Sequence, residues 1–73
     1  MKELDKKRMV YDLCQENEGL REFLADNGFS PLANDLMFNT SARLAPLETG
    51  LTNHKIDLAE LNEKLAKLGL KVV

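Results

Sequence analysis

Hydrophobic positions keep a helical spacing at the two ends of the chain and lose it in the middle. Residues 8–17 (R-M-V-Y-D-L-C-Q-E-N) place Val10, Leu13, Cys14 and Asn17 at i, i+3, i+4 and i+7. That is one helical face, apolar except at its last position. Glu18-Gly19 interrupts the pattern, and Leu20, Phe23 and Leu24 restart it. The spacing predicts two short helices with a bend at Gly19, the second ending at Asn27-Gly28. Gly28 suits the left-handed position after a helix, and Phe29 can then fold back onto the last turn.

The last third carries the clearest helix. Asp57 followed by Glu60 resembles a capping box, and Leu58, Leu61, Leu65 and Leu68 form a narrow apolar stripe behind it. Glu60–Lys64 and Glu63–Lys67 are i,i+4 pairs in the favourable order, each worth about 0.2–0.5 kcal/mol. The stripe lasts under two heptads, so it reads as a helix packed on its own domain, with Gly69 as its stop. Upstream, Pro46 and Glu48 fit the first turn of another helix, with Leu47 and Leu51 inward and an end near Asn53-His54-Lys55. Ile56 acts as a plug ahead of the Asp57 cap. Lys71-Val72-Val73 reads as extended, and pairing with Lys2-Glu3-Leu4 would tie the ends into a two-stranded clasp.

Between these elements, Gly28–Pro46 (G-F-S-P-L-A-N-D-L-M-F-N-T-S-A-R-L-A-P) mixes large apolar residues with Pro, Asn, Thr, Ser and Arg. Neither a clean helical nor a clean strand period describes it. Leu36–Leu44 is a further short helix, and Ala45 leaves the helical region because a proline follows. The resulting expectation is a single all-α domain over residues 1–73. It has four to five short helices, with the terminal β pairing as an addition.

At 73 residues, the chain is near the lower limit for a core that is stable without staples. With one cysteine and one histidine, neither an internal disulfide nor a His/Cys metal knuckle can form. No cofactor or metal is therefore expected, and a reducing, cytoplasmic setting is the natural expectation. No apolar run approaches the roughly 20 residues of a membrane span, and the charged N-terminus leads into no signal-like stretch. Net charge is −2, from ten Lys/Arg and twelve Asp/Glu. Residues 9–30 carry five acids against Arg21 alone. An acidic first half works against phosphate neutralisation, so no nucleic-acid partner is expected.

The order of these segments carries a resemblance. A charged extended start precedes a helix with V-Y-D-L and a second ending in F-L-A-D-N-G-F. There follow S-P-L-A-N-D, N-T-S-A-R, a helix opening with L-E-T-G, and I-D-L-A-E-L-N-E-K-L. Over nearly its whole length the chain resembles a small bacterial family, domain of unknown function 1858. The resemblance implies a compact multihelical domain and no established biochemical activity. One branch of that family is similar to redox domains and to the N-terminal domain of iron–sulfur repair proteins. It bears cysteines just after the Gly-Phe turn. Here that stretch is Ser30-Pro31-Leu32-Ala33, so thiol chemistry does not carry over to these positions. Relatives fused to sensory or haemerythrin-like modules imply an accessory or regulatory role.

Individual candidates divide between chemistry and packing. Cys14 shares an apolar face with Val10 and Leu13, which favours a small core hydrophobe over a reactive thiol. His54 lies at a probable helix end without a carboxylate beside it in sequence, which favours a capping or solvated role. Asn34, Asn39, Thr40, Ser41 and Arg43 form the one polar constellation, in which Asn39 and Arg43 lie a turn apart. Phe29 and Phe38 would border an anion- or peptide-binding patch there. The plainer alternative is that Asn34 or Asp35 caps one helix and Asn39, Thr40 or Ser41 another.

No nucleophile–base–orienter spacing, G-x-S-x-G or P-loop motif occurs, so no enzyme is expected. A cavity of hundreds of Å³ is more than so small a core should spare. The expected role is an interaction or accessory module that binds a protein partner or itself. Phe29–Arg43 or Leu70–Val73 would supply the surface. The alternatives are a degenerate redox or iron–sulfur accessory domain using Cys14, and a sensor of small anions using Asn39, Thr40 and Arg43.

Overall fold

Two short helices with no side-chain caps organise the fold by capping each other through backbone. In a computed structural model describing residues 2–73, strand β1 (Lys2–Leu4) leads through a turn to helices α1 (Val10–Glu16) and α2 (Leu20–Asp26). A 3₁₀ turn over Ser30–Ala33 precedes α3 (Asp35–Leu44), α4 (Leu47–Asn53) and α5 (Leu58–Leu65). A second 3₁₀ turn, Ala66–Leu68, then hands the chain to β2 (Leu70–Val72). The Val10 amide, first of α1, donates to the Ala45 carbonyl at 3.1 Å. In return the Leu47 and Glu48 amides of α4 donate to the Arg8 and Lys6 carbonyls at 3.0 and 2.9 Å. Ala45 is extended (φ −123°, ψ 124°), as its place before Pro46 requires, which is what points its carbonyl away from α3.

The terminal clasp forms, and it is parallel, with Lys2 opposite Leu70 and Leu4 opposite Val72. A parallel pair needs a crossover, and here the whole helical body serves as one. Leu4, Leu70 and Val72 face the core. This removes Leu70 and Val72 from the expected partner surface, because alternate strand residues point to one side. The outer edge of β2 is closed by a side chain. Asn62 of α5 accepts from the Val72 amide at 2.8 Å and donates to its carbonyl at 3.3 Å. Its amide thus stands in for a third strand, meeting groups that an open sheet edge leaves unpaired.

One core joins all five helices, with Leu4, Leu13, Leu20, Leu24, Leu47 and Leu65 fully enclosed. The inward positions of α1 and α2 are those of the apolar period. Asn17, buried at the end of α1, donates to the Leu13 carbonyl at 2.8 Å, and Arg8 pairs with Glu16 across the outer side of α1. After α2, Gly28 (φ 114°) lets the Phe29 amide donate to the Leu24 carbonyl at 2.9 Å, the expected helix stop. Ile56 lies on that glycine, where a Cβ would come within 2.8 Å of its Cδ1.

Three expectations change. The last helix ceases to be α-helical at Leu65, so the tighter 3₁₀ turn rotates Leu68 out to solvent. Only half of the capping box forms: Asp57 accepts from the Ala59 amide at 3.0 Å, and among the described residues Glu60 does not reach back to the Asp57 amide. Among the described residues neither Glu60–Lys64 nor Glu63–Lys67 closes; the ion pairs are Arg8–Glu16 and Arg21–Asp35. No helix of the described residues is long and apolar enough to cross a membrane.

Replacing Asn62 with alanine strands a half-buried amide and carbonyl at Val72. The expected cost is about 1–3 kcal/mol of unfolding free energy, with faster hydrogen exchange at Val72, measured by denaturant titration and amide exchange.

Candidate functional site

Helix α3 is the element whose outer face the fold leaves uncovered. Asn34 caps it by accepting from the Met37 amide at 3.2 Å, while Phe38 and Ala42 face the core. On the other side Leu36 is 71% exposed, Leu44 82% and Met37 39%. The remaining exposed large hydrophobics of the described chain, Leu68 and Val73, belong to its C-terminal end.

A half-open groove of about 300 Å³ runs beside α3, with walls that include Phe29, Pro31, Leu32 and Met37. Ser41, Asn53 and His54 supply its polar lining. It exists because side chains are small where the walls meet, at Ser41, Ala42, Ala45 and Gly50. At Gly50 no larger residue fits, since a Cβ would stand 2.4 Å from Phe29 Cε1. The expectation that so small a core spares no cavity of this size is therefore corrected. Unfilled volume next to a well-packed core costs little when it is open to solvent. His54, the C-terminal cap residue of α4, is exposed and sets its ring 5.1 Å from that of Phe29.

The residues singled out in the sequence separate into three groups. Phe29 is buried and forms a groove wall. Phe38 is buried elsewhere, 5.1 Å from the Tyr11 ring, so the two phenylalanines do not border one patch. Asn34 is a helix cap. Asn39 donates to the Asp35 carbonyl and Thr40 to the Leu36 carbonyl, both at 2.8 Å. They cap no second helix, because α3 continues unbroken to Leu44 and has no end there. Arg43 lies 4.2 Å above the Tyr11 ring and donates to its hydroxyl at 3.0 Å.

Two participants were missed. Tyr11 and Arg21 complete a ladder in which Arg21 stands 4.1 Å over Phe38, Phe38 leans on Tyr11, and Tyr11 carries Arg43. Arg21 also donates to the Leu32 carbonyl at 2.8 Å and to Asp35 at 2.7 Å. It thereby pins α2 to the 3₁₀ turn and to the start of α3. Its signal in the sequence was its isolation, as the lone cation among the acids of residues 9–30. Stacked arginines of this kind contribute through both ring contact and hydrogen bonds.

Cys14 is half-buried, packed against the core. Burial pushes its thiol up from 9.0 to about 11, with Arg21 opposing only weakly. A thiol so placed is protonated at neutral pH and a poor nucleophile. No group of three or more His, Cys, Asp or Glu side chains suited to a metal ion occurs among the described residues.

Because its folded pKa is raised, the Cys14 thiol favours the native state below pH 9, and that contribution is lost as pH rises towards 11. Stability is expected to fall across this window in the native chain more than in Cys14→Ala, by denaturant titration at stepped pH. Native-state alkylation should show a midpoint near 11 instead of 9.

No curated protein matches the chain, and no solved structure does. The model of the family described as "Domain of unknown function (DUF1858)" matches residues 4–61. That span runs from the end of β1 through α3, the groove and α4 to Leu61 of α5. The chain belongs to this family.

Proposed function

We propose that this chain is a non-catalytic interaction module that docks other protein through the outer face of α3 and the adjoining groove. One observation carries the reading. The described chain buries most of the apolar positions of its other helices, yet leaves Leu36, Met37 and Leu44 exposed on one short helix beside an apolar groove. A contiguous exposed apolar patch of this kind marks interaction surfaces. Covering a leucine returns about 1.5–3 kcal/mol.

Desolvating the polar residues on this face is cheap. Thr40 already spends its donor on the Leu36 carbonyl of its own helix, and Asn39 spends one of its two on the Asp35 carbonyl, which lowers the cost of covering them. The same bonds weaken the anion-sensor alternative, since Thr40 and one N–H of Asn39 have their donors engaged and Arg43 leans on Tyr11. The redox alternative loses support at Cys14, whose thiol burial holds protonated. The groove can take a side chain or two from a partner, with His54 and Asn53 at its polar rim.

The Leu36→Glu/Leu44→Glu double variant should keep wild-type helicity and stability to within about 0.5 kcal/mol, as exposed substitutions do. In size-exclusion of a lysate from its own host, the wild type should migrate in an assembly larger than the free chain, and the variant as the free chain. Co-migration of the two proteins would sink the reading.

A further inference from the structure

We propose that the groove beside α3 receives a tyrosine side chain of the docked protein. The inference rests on the reading of this face as a docking surface, and it deepens that reading by naming the group that enters.

Three properties of the groove act together as a filter. The first is charge. Its lining contains no Asp, Glu, Lys or Arg, although these make up 30% of the chain. A charged side chain entering it would lose water and find no counter-charge, which is costly. The second is apolar surface. Among the lining residues Val10, Phe29, Leu32, Ala42 and Gly50 are buried, while Pro31, Ala45 and Met37 add accessible apolar area. A ring pairs favourably with the Phe29 ring and the Met37 thioether, and an aromatic side chain loses about 150–250 Å² of surface to such a site. A short polar side chain would leave this surface wet.

The third is unpaired hydrogen-bonding capacity. Ser41 of α3, Asn53 of α4 and its cap residue His54 line the same groove. None of these three side chains has a hydrogen-bond partner among the described residues, whereas Thr40 of α3 and Thr52 of α4 bond carbonyls one turn back. The other five asparagines of the chain all bond backbone groups. Asn53 keeps its whole amide, donors and acceptor, for what enters the groove. Leucine or phenylalanine would cover these groups without pairing them, which costs more than leaving them in water. An indole N–H can only donate. The tyrosine hydroxyl donates and accepts, is uncharged at neutral pH and sits at the end of a ring. It meets all three properties at once, and tyrosine is enriched among the residues that anchor interfaces.

The test is an amide NMR titration of the purified chain with N-acetyltyrosinamide and with its phenylalanine, glutamate and lysine counterparts. The tyrosine compound should move the amides of Ser41, Gly50 and Asn53 with a Kd of about 1 mM. The phenylalanine compound should bind about fivefold more weakly, and the charged ones should leave those amides in place. Ser41→Ala/Asn53→Ala, its fold checked by thermal melt, should lower the tyrosine affinity to that for phenylalanine. Mere repacking of the groove would weaken both compounds alike. No shift at these amides up to about 10 mM of the tyrosine compound overturns the assignment, as does equal wild-type affinity for tyrosine and phenylalanine. Binding of para-cresol without binding of the blocked amino acid also overturns it, by marking a site for free phenols. The migration of Leu36→Glu/Leu44→Glu in lysate decides the docking reading separately, since neither leucine lines the groove.

Discussion

Everything in this fold leans on the unpaired amides at the starts of α1 and α4. A helix leaves its first N–H groups without internal partners, and neither helix has a side chain that caps them. The Lys6–Val10 and Ala45–Glu48 stretches solve this jointly, each offering carbonyls to the other's amides. Two helices of seven residues are far too short to persist alone. Once exchanged, these bonds join residues close to forty positions apart. They bring β1 to the side of the molecule where the chain ends. The parallel clasp and the Asn62 bracket on Val72 then hold the two termini against the same core.

That economy of core determines what α3 can do. Phe38 and Ala42 anchor its inner side, and the Arg21–Phe38–Tyr11–Arg43 ladder steadies one flank. Its other flank borders the groove, whose lining includes Gly50 of α4, where a larger side chain would strike Phe29. The groove and the exposed leucines therefore share one origin, since a chain of this length has too few large side chains to cover every helix. Under the proposed reading, a partner would add burial where the domain has least. The lining of the groove is mostly apolar, with Ser41, Asn53 and His54 as its polar members.

Much of the fold was legible from local patterns. The apolar spacing of Val10, Leu13, Leu20 and Leu24 placed α1 and α2, Gly28-Phe29 placed the stop between them and the 3₁₀ turn, and Ala45-Pro46 placed the break after α3. Each reflects a rule acting within a few residues. Legibility failed where the deciding partner was distant. Leu68 turned outward where a 3₁₀ turn precedes the buried Leu70 and Val72 of β2, a change of helix type that the leucine spacing did not carry. Asn39 and Thr40 looked available as ligands because composition does not reveal that their own helix runs on and takes their donors. Arg21 was visible only as an isolated cation, and the rings it serves come from two other helices.

The sequence by itself determined the family, the helical class, a count of four to five helices and the ends of most elements. Periodicity, caps and proline or glycine breaks are local, and their physics needs no neighbour. Only the tertiary structure decided the parallel sense of the clasp, the mutual capping of α1 and α4, and which face of α3 stayed uncovered. Those outcomes depend on which groups meet across the core. Four or five weakly amphipathic helices can satisfy their local rules in many packings, and the distant hydrogen bonds and small-residue contacts select one.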